Sequence, residues 1–388
     1  MHSLIERNAG PVILKDLSNF AVVAILGPRQ CGKSTLVKML KDKIKGFMYL
    51  DLESPSDLRK LDDPELFFET NREKTVCLDE IQLRPDLFSV LRSIVDRTGR
   101  KGQVLILGSA SRTLIRQGSE SLAGRISFIE LTPFVVSELA GTRGYAESAF
   151  WFRGGYPDSL LAPDNSISDK WRRNFIRTFI ERDLPQLGVR VTATNLLRLL
   201  TMCAHGQGQL LNSSKLAASL GVSYHTVRDY IDLFEQTYVI RTLKPYEANF
   251  KKRVVKSPKV YIRDSGILHA LLEIVDFNAL MGHPVFGSSW EGFALENILA
   301  ELEDWRGSFY RTSAGNEIEL VLEKGRRRIA VEFKASKAPV VTKGFWNALE
   351  DLKIEEAWII SPIQGSYPIR NGVNVSGLDH FISFQKQR

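Results

Sequence analysis

Three cysteines in 388 residues, Cys31, Cys77 and Cys203, stand far apart with no paired spacing. That excludes a disulfide framework, and a reducing, cytoplasmic setting is the expectation. The six histidines show no metal-ligand spacing, so no structural zinc is expected. No stretch approaches the ~20 uncharged apolar residues that a membrane-spanning helix needs, so no membrane partner is expected. The first residues, MHSLIERNAG, bring charge early and hold no apolar core of signal-peptide length. Internal repeats and low-complexity segments are lacking too, which sets aside solenoids and disordered arrays. What is present is a mixed composition, 44% hydrophobic and 25% charged, in a chain long enough for two or three cores. The formal charge of +7 leans towards a polyanionic partner, although a diffuse excess of that size also suits a merely soluble protein.

The most informative stretch reads AVVAILGPRQCGKS, residues 21–34. Gly27, four residues, then Gly32-Lys33-Ser34 is the G-x-x-x-x-G-K-[ST] phosphate-binding pattern. The apolar run before it suits a buried parallel strand, and the residues from Ser34 onward have helical spacing. Gly27 and Gly32 allow the backbone to wrap a phosphate chain at positive φ. The amides of Gly32, Lys33 and Ser34 would then face anionic oxygens, helped by the helix N-terminus. Lys33 would reach the β- and γ-phosphates, and the Ser34 hydroxyl would ligate Mg²⁺. The expected nucleotide contacts are Gly27, Pro28, Arg29, Gln30, Cys31, Gly32, Lys33, Ser34 and Thr35, with ATP and Mg²⁺ bound.

A second acidic element follows in TVCLDE, residues 75–80. Asp79 would hold the Mg²⁺ shell and Glu80 would polarise the attacking water, which points to hydrolysis rather than nucleotide storage. QVLILGSAS (103–111) is a further strand whose end, Gly108-Ser109, would place a small polar residue near the γ-phosphate. Between them RPDLFSVLRSIVDRTG carries a helical stripe that stops at Gly99. FMYLDLE (47–53) is one more strand. Strand, helix, strand in this order implies a parallel sheet wound by helices, with the ligand at the carboxyl ends of the strands. Arg125 would act as a finger on the γ-phosphate in cis or in trans, or is an ordinary surface arginine.

GPRQCGKSTL, YLDLE, LDEIQ, LGSAS, ESLAGR, LTPF and RGGYP together resemble the prokaryotic AAA-type ATPases whose C-terminal half is a domain of unknown function. The resemblance runs nearly the full chain. The fold class expected is α/β. It consists of a P-loop ATPase domain (1–145), a helical linker region (146–200), a winged helix-turn-helix (201–270) and a restriction-endonuclease-like α/β domain (280–388).

In the middle region RNFIRTFIERDLPQLG (173–188) reads as a helix ended by Pro185 and Gly188. In LLNSSKLAASLGVSYHTVRDYIDLFEQTYVIRTL (210–243), Ser213 or Ser214 would cap a short helix. Gly221 would make the turn and Ser223 would cap a second helix. YVIRTL and KVYIRD would form the wing. Tyr224, His225, Thr226 and Arg228 would lie where a recognition helix meets base edges. Residues 241–263 hold eight lysines and arginines, among them Lys251, Lys252 and Arg253, against Glu247 as the one formal acid before Asp264. Phosphate-backbone contact would suit that segment. A role in bracing the ATPase is the alternative.

GNEIELVLEKGRRRIAVEFKAS (315–336) reads as a hairpin. Period-two spacing puts Glu332 and Lys334 on one strand face. With Glu319 on the neighbouring strand, this is the arrangement of restriction-endonuclease-like nucleases. Glu319 and Glu332 would share a divalent ion, and Lys334 would orient water or stabilise the phosphorane charge. That fold opens with a helix carrying a further acid. In SSWEGFALENILAEL (288–302) Glu291 is favoured, with Glu296 second and off the inward face. A glutamate at 319, where aspartate is usual, puts the Mg²⁺ geometry in question. A DNA-binding fold that does not cut is therefore an open alternative. The tail to Phe384 reads as closing strands. DNA is the expected partner, a homo-oligomer is compatible, and a nucleotide-switched scaffold that binds protein is the competing reading.

Overall fold

The computed structural model describes residues 4–109, 120, 122–140, 146–186, 192–246 and 255–388. They group into two compact units. One holds the chain to Phe134 together with Gln236–Tyr238, and the other holds Val135–Glu235 with Val239–Arg388.

The first unit runs α1 (Ala9–Asn19), β1 (Val22–Gly27), α2 (Lys33–Leu40), β2 (Phe47–Asp51), β3 (Thr75–Asp79), α3 (Leu87–Thr98), β4 (Val104–Ser109) and β5 (Ile126–Glu130). The sheet order is β2-β3-β4-β1-β5, and every pairing is parallel. All of β1 is buried, as a central parallel strand requires. Its alternate residues feed two cores: Val22, Ala24 and Leu26 join one, Val23 and Ile25 the other. Gly99 ends α3 at φ 61°, the left-handed cap the sequence places there.

The second unit opens with short helical turns and then α4 (Asn165–Thr178). This helix begins earlier than the 173–188 pattern, because Asp164 accepts the Ile167 amide at 2.9 Å and caps it. Nor does Pro185 end it. The chain passes through a π-helical stretch, Phe179–Asp183, into Leu184–Gln186. Pro185 then sits in the first turn of a new helical piece, where a missing N–H is tolerated.

Next come α5 (Ala193–His205), β6 (Gln209–Leu210), α6 (Ser213–Leu220), α7 (Tyr224–Gln236), β7 (Ile240–Leu243) and β8 (Lys259–Ile262). Asn212, not Ser213 or Ser214, caps α6, its Oδ1 accepting the Lys215 amide at 3.0 Å. Gly221 turns at φ 66°, and Ser223 Oγ caps α7 through the Thr226 amide. Val227, Tyr230, Ile231 and Phe234 point inward. β6, β8 and β7 form a three-stranded antiparallel sheet with β8 in the centre.

The remainder is α8 (Ser265–Leu271), α9 (Phe286–Glu301), β9 (Arg306–Arg311), β10 (Glu317–Lys324), β11 (Arg327–Phe333), α10 (Lys343–Leu352), β12 (Glu356–Ile360), β13 (Ser366–Arg370), β14 (Val373–Ser376) and α11 (Leu378–Lys386). The sheet order is β13-β14-β12-β11-β10-β9. β9, β10 and β11 form an antiparallel meander, while β11, β12 and β14 run parallel. The tail is therefore not all strand: after Gly377 the chain turns into α11. Phe381 and Ile382 are buried on it at helical rather than alternating spacing. α9 departs from the sequence reading as well. It packs against β11, α8 and α11, and successive residues from Ser289 to Leu295 are all buried. A helix enclosed in this way has no solvent face for Glu296 to occupy. Among the described residues, no helix is long and apolar enough to cross a membrane.

Candidate nucleotide site and buried acidic cluster

The loop after β1 lies at the carboxyl edge of the parallel sheet. A Cβ on Gly27 would stand 2.1 Å from the Leu131 carbonyl oxygen, so only glycine fits. Gln30 at φ 61° and Gly32 at φ 99° take left-handed backbone, which folds the loop back before α2 starts at Lys33. Cys31 is fully buried, its thiol against the Leu131 carbonyl at 3.3 Å. Arg7 fastens the loop from outside it. Its guanidinium donates to Cys31 O at 3.0 Å and to Thr132 O at 2.6 Å.

The Lys33 ammonium donates to the loop's own carbonyls, Gly27 O at 3.0 Å and Pro28 O at 2.7 Å. The Ser34 hydroxyl donates to Asp79 Oδ2 at 2.6 Å, which joins the loop to the end of β3. Tyr49 on β2 donates to that same oxygen, and its phenol is pushed up by burial and by the Asp79 carboxylate. Glu80 follows at φ 58° and accepts from the Gln82 amide. Burial raises its pKa above the usual carboxylate range. Ser109 pairs with Gly27 in register, at the same edge. Arg29 pairs outward with Glu53 at 3.2 Å. A nucleotide with Mg²⁺ fits this donor set. The left-handed glycine exposes amides for phosphate, and a hydroxyl and a carboxylate already converge for a cation.

Arg125 lies elsewhere. Its carbonyl accepts the Val22 amide, so it stands at the amino end of β5 beside the start of β1. The loop begins five residues further along β1, roughly 16 Å away at strand rise. Arg125 instead pairs with Asp96. A finger role in cis is excluded by that distance, and a role in trans would require a second copy of the chain.

On α7 the Tyr224, His225 and Arg228 side chains are exposed, with the Arg228 guanidinium 5.9 Å from the Tyr224 ring centre. Thr226 is instead drawn into the helix cap, its hydroxyl 2.8 Å from Ser223 Oγ. Lys251, Lys252 and Arg253 lie outside the described residues. Three other cations of this segment are not free for phosphate. Arg241 and Arg263 both donate to Glu296, and Lys259 is buried against Glu291 and Glu317. Desolvation opposes the Glu296 charge, but the two guanidiniums hold its pKa below the usual range. Glu296 thus joins α9 to β7 and to the residue that follows β8.

The remaining acids gather around β10 and β11. Glu291 Oε1 accepts from Tyr261 at 2.5 Å and from Lys259 at 3.2 Å. Glu317 accepts from Lys259 at 2.9 Å. Glu319 reaches across the hairpin to the Phe333 amide at 2.6 Å. Glu332 Oε1 pairs with Lys334 at 2.7 Å, while Oε2 is buried with no partner among the described residues. Desolvation and the neighbouring Glu332 and Glu291 carboxylates push Glu319 well up. Glu332 is raised by burial, with Lys334 opposing. The four residues expected here are therefore brought together, but the cations that face them are lysines. Among the described residues, no group of three or more His, Cys, Asp or Glu side chains is arranged to hold a metal ion.

Family comparisons match residues 19–140 to an AAA domain and residues 286–381 to a domain of unknown function, DUF4143. Residues 146–278 match a second domain of unknown function, DUF8612. An uncharacterized protein of Mycobacterium tuberculosis is 39% identical over 381 residues, covering 98% of this chain and 85% of the relative. The chain belongs to the AAA–DUF4143 family. An uncharacterized protein of Haemophilus influenzae is 23% identical over 63% of this chain and 68% of its own length. Among solved structures, a Pyrococcus horikoshii signal-transduction ATPase with numerous domains aligns at 11% identity and TM-score 0.32, covering 78% of this chain and 46% of that one. A Drosophila origin recognition complex bound to AT-rich DNA and Cdc6 aligns at 13% identity and TM-score 0.23, covering 69% of this chain and 90% of that one. Membership of the AAA–DUF4143 family supports ATP binding and hydrolysis by the first domain. Tyr49, Arg7, Lys259 and Tyr261 escape a reading of the sequence, since each meets its partner only through long-range packing. Tyr49, inside the YLDLE motif, carried the one available signal.

Proposed function

We propose that the chain is a Mg²⁺-dependent ATPase that acts on DNA through its helix-turn-helix, and that its restriction-endonuclease-like domain binds without cutting. The division into 1–145, 146–200, 201–270 and 280–388 is part of the same reading. Lys33 and the loop amides would hold the phosphates, and Ser34 and Asp79 would hold the metal. Bound Mg²⁺ supplies charge neutralisation at the phosphates. Glu80 would orient the attacking water and take its proton, with Gln82 fixing its carboxylate.

The observation that carries the DNA reading is α7. Its inner face is buried through Val227, Tyr230, Ile231 and Phe234, while Tyr224, His225 and Arg228 stand in solvent at its start. Aromatic and cationic side chains in that place suit a groove of nucleic acid. Non-cleavage is favoured by the lysine-filled acidic cluster. The deciding experiment measures ATP hydrolysis by the purified protein with and without duplex, single-stranded and branched DNA. Stimulation by one form, with affinity that falls steeply with salt, is the expected result.

A second reading, a nucleotide-switched scaffold whose C-terminal domain binds protein, draws on the internal use of Arg241, Lys259 and Arg263. Hydrolysis indifferent to every DNA form, with no measurable affinity, would replace the first reading by this one.

A further inference from the structure

Lys259 is an unusual residue for the middle strand of a small sheet. It is 3% exposed, flanked in sequence by Pro258 and Val260, and its ammonium lies 5.6 Å from the Phe309 ring centre. A lysine this deep stays charged only with partners. The partners are carboxylates from two different elements, Glu291 of α9 at 3.2 Å and Glu317 of β10 at 2.9 Å.

We propose that Lys259 is a tethered cation, whose ammonium takes the place of a divalent ion between Glu291 and Glu317, next to Glu319 and Glu332, and keeps this site closed to metal. The proposal stands whether or not the chain engages DNA.

Three observations support it. The first is charge balance. Glu291, Glu317 and Glu332 face Lys259, Lys334 and Arg311, the last 3.6 Å from Glu317. Each of these three carboxylates thus already has a cationic partner. The second is the electrostatics of Lys259 itself. Burial works against its charge, yet Glu291, Glu317 and Glu319 more than offset that and raise its pKa. The third is the buried, unpartnered Glu332 Oε2. That oxygen has no donor among the described residues, so Lys334 engages only one side of the Glu332 carboxylate. Take away the Lys259 ammonium, and Glu291 and Glu317 lose their shared cation beside Glu319 and Glu332, a charge that a hard divalent cation would balance.

The test compares nucleotide-free wild type with Lys259→Met, reading Mn²⁺ binding by electron paramagnetic resonance and thermal midpoint with and without Mn²⁺. Wild type is expected to show no Mn²⁺ site that Glu332→Gln removes. The variant is expected to melt lower, to gain a site at least tenfold tighter than any in wild type, and to recover its midpoint with Mn²⁺. A folded variant that gains nothing overturns the proposal. So does a wild-type site lost in Glu332→Gln. Should Lys259→Met fail to fold, reductive methylation of the native protein with peptide mapping decides. Lys259 stays unmodified with and without Mn²⁺ if the proposal holds, and its methylation on adding Mn²⁺ shows that metal displaces the ammonium and overturns it.

Discussion

A carboxylate can act as a base only when its proton is gone. Burial raises the Glu80 pKa, so hydrolysis should climb with pH through a window above the usual carboxylate range. Glu80→Gln should keep ATP binding and lose about 10²–10⁴-fold in turnover, with the acid limb of the pH profile abolished. Lys33→Ala should abolish hydrolysis, and hydrolysis that persists would refute the site. Glu147 gives a prediction on stability. Its Oε1 is buried without a partner among the described residues, and burial together with Asp379 pushes its pKa up to about 7. The folded state therefore binds the proton more tightly than the unfolded chain does. Stability should fall as pH rises from the ordinary carboxylate range to about 7. Glu147→Gln should remove that fall and raise stability at pH 8 by on the order of 1–3 kcal/mol, with little change at pH 4, as thermal melts at the two pH values would show. At this scale the sequence was legible where chemistry is local. Lys33 and Ser34 sit in a contiguous loop, and Asp79 closes a recognisable strand. Tyr49 and Lys259 were not, because a phenol on one strand and a lysine on another acquire meaning only from the carboxylates that long-range packing sets against them.

At the scale of elements, hydrophobic period carried most of the reading. β1, β3, β4 and the β10–β11 hairpin were legible from their apolar runs, and α3 from its stripe and its closing glycine. On α9 the stripe of Ala294, Leu295, Ile298 and Leu302 sets Glu296 off the inward face, but burial spreads well beyond that stripe, and Glu296 finds two arginines there. α11 was taken for strand because FISF is apolar and short, where period cannot separate the two states. The 173–188 pattern with Pro185 and Gly188 as its stop carries no signal of the π-helical stretch Phe179–Asp183, and Gly188 lies outside the described residues. The Arg241–Glu296–Arg263 junction yields a test at this scale. Glu296→Gln leaves two guanidiniums facing a neutral group that is 11% exposed, and should cost about 3–5 kcal/mol in denaturant unfolding. Gly27→Ala should cost on the order of 1–3 kcal/mol and weaken nucleotide binding, since its methyl would meet the Leu131 carbonyl.

For the molecule as a whole, the proposed action on DNA makes a prediction at the start of α7. Arg228→Ala and Tyr224→Ala should each weaken DNA affinity. The arginine change should also flatten the salt slope by about one unit, as loss of a phosphate contact does. Both changes should leave hydrolysis without DNA untouched. The chain between β7 and β8 bears on how such a signal would travel. Arg241 on β7 and Arg263 just past β8 grip Glu296, and Lys259 at the start of β8 grips Glu291, all on α9. Both ends of that segment are thus riveted to one buried helix. A load applied between them cannot be taken up by the strands alone. It would be handed to α9, and through α9 to β11, against which that helix packs.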